Sequence, residues 1–242
     1  MRVKLQPAYV IHSRPYRDSS ALLDVFTAEY GRISLVARGV RRASRKGTRA
    51  ALLQPFIPLL LSYTGRSELK TLGETEAVQS RLVLSGARLF SGMYMNELLV
   101  RLLHQNDAHP RLFAAYDQSL KALAGRSEVD AVLRNFELTL LNELGYGLAV
   151  GVDGVSGRPI QQDLRYRYES GCGLVVATDD VPGHDGVYEG SDLLRIASGE
   201  YGGAVRNVAK CLLREALAVH LGSAPLRSRE LFQRIGVVQK LE

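Results

Sequence analysis

Five short apolar segments, separated by turn-forming residues, follow one another within the first 80 residues of this 242-residue chain. They are AYVIHS (8–13), ALLDVFT (21–27), RISLVAR (32–38), PFIPLLLSY (55–63) and ELKTLGETEA (68–77). The third has apolar residues at alternate positions between Gly31 and Gly39, which is the pattern of a half-buried strand. Five such strands, with a longer connection between the third and fourth, predict a small closed barrel of the oligonucleotide-binding (OB) type; an SH3-like barrel is the alternative.

From about residue 81 the apolar residues recur at helical spacing. Helices are predicted at 85–105, 110–125, 127–144, 191–199, 203–221 and 227–236. Residues 147–190 are glycine-rich, and RYRYESGCGLVVATDD (165–180) predicts a β-hairpin within them. The sequence therefore predicts an α+β protein, with an OB-fold domain at 1–80 and a mainly helical domain at 81–242 that carries a small β-rich insertion at about 147–190.

The composition excludes several classes of protein. No apolar run has the length of a transmembrane helix, and the N-terminus lacks the apolar core of a secretory signal, so we expect a cytoplasmic protein. The two cysteines, Cys172 and Cys211, are too few for a disulfide framework and lack the spacing of a zinc site. No phosphate-binding loop, nucleophile elbow or metalloprotease motif is present, and the five histidines are scattered. We therefore expect neither an enzyme nor a bound metal or cofactor.

The positive charge of the chain is concentrated in its first third. Residues 1–80 carry 13 basic and 6 acidic side chains, whereas the whole chain has a net charge of +6. The stretch VARGVRRASRKGTRA (36–50) has no acidic residue and six basic ones: Arg38, Arg41, Arg42, Arg45, Lys46 and Arg49. A cluster of this kind binds phosphates with salt-sensitive affinity, although a solvated loop, a targeting signal or an acidic protein partner is also compatible with it.

Tyr16 lies between Arg14 and Arg17 in HSRPYRDS. An aromatic ring between two cations is suited to stacking an unpaired base, and a half-buried loop aromatic is an equal alternative. A second feature lies on the helix at 127–144, where Arg134 precedes Leu138 and Leu141 by four and seven residues. A cation at the edge of an apolar groove can hold an acidic peptide end, but spacing alone favours an arginine whose stem covers surface leucines.

Five segments closely resemble the RecO family of bacterial recombination mediators, and they follow the same order over nearly the whole chain. They are YVIHSRPYRDSSALLDVFTAEYGRISLVARGVRR, LQPFIPLLLSYTGRSELKTL, LSGARLFSGMYMNELLVRLL, FELTLLNELGYG and PLRSRELF. The resemblance implies an OB fold followed by a helical domain. It also implies binding to single- and double-stranded DNA, annealing of complementary strands, and action with RecR in helping RecA to replace the single-stranded-DNA-binding protein.

The resemblance also implies roles for particular residues. Arg14, Tyr16, Arg17 and Arg32, with the basic residues of 38–49, would form the DNA surface. Arg134, with Leu138 and Leu141, would hold the acidic, phenylalanine-ended tail of the single-stranded-DNA-binding protein. Many family members carry a four-cysteine zinc module after the GYG turn, but VDGVSGRPI (152–160) has no cysteine. We therefore expect a zinc-free branch, in which packing of the hairpin does the metal's structural work.

The expected function is that of a monomeric, nucleoid-associated recombination mediator. The alternative from another class is a basic interaction module that meets an acidic protein and has no direct nucleic-acid function. A nuclease would need clustered carboxylates or an activated nucleophile, and the sequence offers neither.

Overall fold

The computed structural model describes residues 2–40, 49–78, 82–177 and 186–231. Within it the chain forms two compact units. The first comprises Met1–Gly125 together with the segment from Pro225 onward, and the second comprises Arg126–Ala224. The first unit thus takes two helices beyond the predicted domain boundary at 80/81, and that boundary stays a prediction.

The first unit is built on a closed five-stranded barrel. Its elements are β1 (Arg2–Tyr16), β2 (Ser20–Thr27), β3 (Gly31–Ala37), α1 (Arg49–Leu52), β4 (Leu59–Thr64) and β5 (Leu69–Ala77). The strand order around the barrel is β1-β2-β3-β5-β4, and the closing pair β3–β5 is parallel. The predicted OB-type barrel, and with it the α+β class, is confirmed.

The 15-residue strand β1 is shared by the two sides of the barrel. Its second half pairs with β2 and its first half with β4, and the register shifts once in each half, between Val10 and His12 and between Val3 and Gln6. Such bulges bend a strand sharply, so one continuous strand can serve both sides of the barrel. The barrel interior is filled by alternate residues, as in β3, where Ile33 and Leu35 are fully buried.

Two helices of the same unit, α2 (Gly86–Leu102) and α3 (Pro110–Ala124), complete its core. Tyr9 and Phe26 of the barrel make edge-to-face or tilted ring contacts with Phe113 and Tyr116 of α3, at centroid distances of 5.2 to 6.1 Å. The Tyr9 hydroxyl donates to Asp117 at 2.6 Å. Burial, and then this hydrogen bond to a carboxylate, raise the pKa of Tyr9. The outer surface of β1 and β2 is therefore fixed to α3 by an aromatic cluster.

Gly31 marks a close approach between the barrel and the segment that follows α2. Its φ is +62°, and a Cβ at this position would overlap the carbonyl oxygen of Asp107. The neighbouring Asn106 donates its N–H to the carbonyl of Arg32 at 2.9 Å, and its side-chain oxygen accepts a hydrogen bond from Lys70 at 2.8 Å. Only glycine satisfies both the left-handed backbone and the space.

The segment after Ala224 is fastened to α2 by one carboxylate. Glu97 accepts hydrogen bonds from the N–H of Arg227 at 2.9 Å, and from the N–H and hydroxyl of Ser228 at 2.8 and 2.6 Å. These bonds begin a helical stretch at 227–231, whose first N–H groups have no partner within the helix. Burial raises the pKa of Glu97, but the bonds from Ser228 and Arg227 outweigh it, and the pKa is lowered.

In the described part of the second unit, three helices combine with a small sheet. The elements are α4 (Val129–Glu143), β6 (Arg165–Glu169), β7 (Gly173–Val176), β8 (Val187–Glu189), α5 (Gly190–Ala197) and α6 (Val205–Leu221). The sheet order is β7-β6-β8, so the predicted hairpin gains a third strand on the far side of β6. Within the described ranges, no helix is both long and apolar enough to cross a membrane.

Candidate nucleic-acid interface

An open cavity of about 760 Å³ lies on the barrel where the β1–β2 turn, the end of β3 and the start of β5 meet. Its lining consists of Tyr16, Arg17, Ser19, Ser20, Val36, Arg38, Gly39, Leu69 and Thr71. Two of these described residues are cationic and none is acidic. The cavity therefore offers charge for phosphate, hydroxyl groups for hydrogen bonds, and an aromatic ring and aliphatic side chains for a base or sugar.

Tyr16 and Arg17 form the side of this cavity that the β1–β2 turn contributes. The guanidinium carbon of Arg17 lies 5.2 Å from the centroid of the half-buried Tyr16 ring, which is a cation–π distance. Arg17 itself is exposed and has φ of +52°. The turn thus presents an aromatic surface and a cation together.

Arg38 and Arg14 are also exposed. Arg38 follows the last residue of β3 and lines the cavity, whereas Arg14 lies on β1 opposite Leu22 and does not. Arg41, Arg42, Arg45 and Lys46 lie outside the described residues, so their place in a DNA surface stays a prediction.

Arg32 and Arg49 are engaged by the protein itself. The half-buried Arg32 donates from Nη1 to the carbonyl of Val100 at the end of α2, and its Nε is buried without a hydrogen-bond partner. Arg49, exposed at the start of α1, donates from Nη2 to the carbonyl of Gly73 on β5. Both guanidinium groups are held in place by these bonds, and a role for either in DNA binding stays a prediction.

The half-buried Asp24 links neighbouring strands of the barrel. Asp24 on β2 contacts His12 Nδ1 at 3.3 Å and accepts a hydrogen bond from the Ser34 hydroxyl at 3.0 Å. These cross-strand contacts link three neighbouring strands. Ser34 bonds the carboxylate rather than the imidazole, so the trio is not arranged to activate a nucleophile.

Sequence reasoning missed much of the cavity lining. Ser19 and Ser20 belong to the turn that presents Tyr16, and the alternation in β3 that buries Leu35 also turns Val36 outward; both are signals in the sequence. Thr71 is part of the lining because β5 pairs with β3 in parallel, which places Thr71 opposite Val36. This pairing joins segments about 35 residues apart, and local periodicity does not contain it.

Arg134, the predicted peptide-binding residue, is buried in the second unit. It is 6% exposed, and its Nη2 lies 2.7 Å from Glu137, which is 1% exposed. Leu141 is fully buried and Leu138 half-buried. The helix surface predicted to carry an exposed groove edge therefore holds a buried ion pair next to core leucines.

Tyr201 and Asn135 adjoin this ion pair. The Tyr201 hydroxyl donates to Asn135 at 3.1 Å. Burial raises the pKa of Tyr201; the Arg134 charge lowers it and the Glu137 charge raises it, which leaves the pKa raised. The Nε of Arg134 is a buried donor without a hydrogen-bond partner. This donor has no acceptor among the described residues, and a carboxylate is the group that such a donor binds most strongly.

The stretch VDGVSGRPI, which lacks the cysteines of a zinc module, folds around the carboxylate of Asp153. One oxygen of Asp153 accepts from the N–H of Val155 at 3.0 Å, and from the N–H and hydroxyl of Ser156 at 2.7 and 2.9 Å. Next to it, the Gly154 N–H donates to the Leu174 carbonyl on β7 at 2.6 Å. In the part of the chain that the structure describes, no group of three or more potential metal ligands occurs.

We expect Asp153→Ala to lower the stability of the second unit, because three hydrogen bonds to a carboxylate are lost. Hydrogen bonds, first that from the Ser156 N–H, hold the pKa of Asp153 below its ordinary value. The stabilisation that the Asp153 carboxylate provides is therefore complete at a pH above the ordinary pKa of an aspartate, and it is lost as the pH falls through the lowered pKa. Thermal unfolding checks this, with the exposed Asp163→Ala as control, and addition of a chelator is expected to leave the midpoint unchanged. A midpoint that falls with chelator would contradict the role given to Asp153.

Comparison with known proteins assigns relatives to both parts of the chain. The family model described as recombination protein O N terminal matches residues 1–81, and the one described as recombination protein O C terminal matches residues 84–230. The DNA repair protein RecO of Nitrosococcus oceani is 46% identical over 247 residues, covering 100% of this chain and 99% of its own. The proteins of the same name from Stutzerimonas stutzeri (46% identity, 95% and 94% covered) and Methylococcus capsulatus (43%, 96% and 94%) are similar throughout.

Proposed function

Because this chain belongs to the RecO family and has a role in DNA repair and recombination, we propose that it is a recombination mediator that binds single- and double-stranded DNA and anneals complementary strands. With RecR, it helps to load RecA onto DNA coated by the single-stranded-DNA-binding protein. Its site of action is the nucleoid, and its activity makes and breaks no covalent bond. The observation that carries the proposal is the barrel cavity that brings Arg17, Arg38 and Tyr16 together.

The cavity is suited to contact with the phosphate backbone rather than to reading of the bases. Cations at the rim of the cavity release counterions from the DNA backbone, which gives affinity that is independent of sequence and falls with salt. The Tyr16 ring offers a stacking surface that accepts any base. In the sequence, the basic stretch 41–46 follows Arg38 within a few residues and holds four further cations. A protein that must hold strands of any sequence needs this kind of surface.

Binding and annealing test the proposal together. A labelled oligonucleotide is titrated with the protein at low and moderate salt, and annealing of two complementary oligonucleotides is then followed after both are coated with the single-stranded-DNA-binding protein. We expect binding that weakens steeply with salt, and faster annealing of the coated strands. Absence of binding at low salt would assign the basic surface to an acidic protein instead, and strand cleavage in the presence of magnesium would assign the chain to the nucleases.

We further propose that the Arg134 cluster receives the acidic, phenylalanine-ended tail of the single-stranded-DNA-binding protein. Support comes from the buried Arg134 Nε, which lacks a hydrogen-bond partner, and from the adjoining Leu138 and Leu141. Since Glu137 already occupies Arg134 Nη2, the carboxylates of the tail would have to bind the remaining donors of the guanidinium.

The double variant Arg134→Met/Glu137→Gln is expected to lose binding to such a peptide by about tenfold or more, because a charge-assisted hydrogen bond is removed. The double change avoids leaving Glu137 charged and unpaired in the interior, which a single Arg134→Ala would do. Fluorescence anisotropy with the labelled peptide measures the loss, and DNA affinity should stay unchanged. If the variant and the parent bound the peptide equally well, the Arg134 cluster would not be the peptide-binding site.

A further inference from the structure

Helix α6 of the second unit carries a row of cations along its exposed side. Arg206, Lys210 and Arg214 are spaced four residues apart, so they lie on one face of the helix, and all three are exposed. At 1.5 Å of rise per residue the row extends over about 12 Å. This is the axial length over which one strand of a DNA duplex carries about three phosphates.

The charges of this row are largely available. Arg206 makes one ion pair, with Asp130 at 3.2 Å, and both side chains are partly exposed. Among the described residues, no carboxylate pairs with Lys210 or Arg214. Salt and solvent screen the single exposed pair of Arg206, so it does not neutralise the row.

The acidic residue of α6 is turned away from the row. Glu215 accepts a hydrogen bond from the Tyr188 hydroxyl of β8 at 2.7 Å. Burial, and then this bond, raise the pKa of Tyr188, which therefore stays protonated as the donor. The arrangement gives α6 one face that is cationic and another that is fixed to the sheet.

The positive charge of the row contrasts with the nearly balanced charge of the C-terminal two thirds of the chain. Residues 81–242 hold 18 basic and 19 acidic side chains, so their overall charge is close to neutral. In a part of the chain whose charges nearly balance, solubility alone does not require three cations in one line. A row of cations in line is suited to a linear array of phosphates more than to a compact acidic patch.

We infer that the exposed face of α6 is a second strand-binding site, which holds the phosphate backbone of one DNA strand while the barrel holds another. The inference rests on the proposed function and extends it. Annealing requires two strands to be retained by the same protein, and one cationic surface on each compact unit supplies two independent grips. Backbone contacts of this kind leave the base edges free to pair.

The stoichiometry of strand binding tests this assignment. The full-length chain is titrated with a labelled, non-self-complementary single strand short enough to occupy one site, and its annealing rate is measured with a complementary pair. We expect two strands per chain for the parent and one for Lys210→Glu/Arg214→Glu, with annealing slower by about tenfold or more because two phosphate contacts are replaced by repulsion. The strand that binds more tightly should keep its affinity within about twofold, because the barrel is untouched.

Two matched variants accompany the experiment. Lys210→Arg/Arg214→Lys keeps the charge and is expected to behave like the parent. Arg111→Glu/Arg158→Glu makes the same change in net charge on exposed residues outside α6 and is expected to keep two strands per chain. Circular dichroism of each variant confirms that the helices are retained.

Four results overturn the inference. One strand per chain for the parent, or unchanged annealing by Lys210→Glu/Arg214→Glu, removes the second site and leaves the barrel proposal in place. Equal loss of every strand by that variant makes α6 part of a single site. If Lys210→Glu/Arg214→Glu binds an acidic peptide more weakly than the parent but still binds two strands per chain, the row is a protein-binding surface. Failure of the parent to bind any strand is a different outcome, since it removes the proposed function itself.

Discussion

Replacing Arg17 and Arg38 with alanine together is expected to weaken single-stranded DNA binding by about tenfold or more at moderate salt. Both guanidinium groups line the barrel cavity, and its described lining contains no acidic residue. Each lost phosphate contact reduces the slope of log affinity against log salt by about 0.7 for a single strand. The double variant should therefore show a slope smaller by about 1.4, measured by fluorescence anisotropy over a series of salt concentrations.

The matched control is Arg111→Ala/Arg158→Ala, which removes the same charge from exposed positions outside the cavity. Its affinity should fall only slightly, through the net charge, with the slope unchanged. If the cavity variant kept the parent's affinity and slope, the cavity would not be the DNA surface. The triple variant Arg41→Ala/Arg42→Ala/Arg45→Ala then decides whether the basic stretch binds the backbone without the cavity.

Replacing Gly31 with alanine is expected to lower the free energy of unfolding by about 3 kcal/mol, because the left-handed backbone costs an alanine about 1–2 kcal/mol and relief of the overlap with the Asp107 carbonyl costs about as much again. For a chain of this size such a loss lowers the thermal midpoint by about 10 °C. Thermal unfolding followed by circular dichroism measures the shift.

Gly39 provides a control in the same barrel with nearly the same backbone. Its φ is +67°, against +62° for Gly31, but a Cβ at Gly39 would meet no atom of the described residues within 4 Å. Gly39→Ala should therefore lose only the conformational part, about 1–2 kcal/mol. Equal losses at the two glycines would show that the close approach to Asp107 is not what requires glycine at position 31.

Local pattern predicted most of the strands, and long-range pairing accounts for the differences. The alternation of Ile33 and Leu35 placed β3 to within a residue, whereas β1 extends well beyond the predicted 8–13. Prolines at 7 and 15 interrupt the usual strand pattern, since proline cannot donate to a ladder, but pairing with β4 and β2 carries the strand through both. The three-residue β8 is too short to have a period and exists because β6 offers it an edge.

The candidate site residues also differ in whether local sequence or long-range packing determines their surroundings. Tyr16, Arg17 and Arg38 were selected from two basic stretches of the sequence and from the family resemblance. They lie together on one cavity, because turn and strand-end residues are surface residues in most folds. Arg32 and Arg134 have the same chemistry but are covered by elements distant in sequence, since Arg32 bonds the carbonyl of Val100 and Arg134 lies near Tyr201. The period of a helix or strand indicates on which face of that element a side chain lies. It does not indicate which distant element packs against that face.

The carboxylate of Glu97 has a consequence for how the protein is made. During synthesis the barrel, α2 and α3 emerge first, but the partner of Glu97 lies at residues 227 and 228. Translation at about 5–20 residues per second delivers the intervening stretch of roughly 100 residues in about 5–20 seconds. Throughout that interval Glu97 lacks these two partners on the nascent chain. The first unit to leave the ribosome is thus the last to be finished, and its final assembly waits for the second unit to be translated.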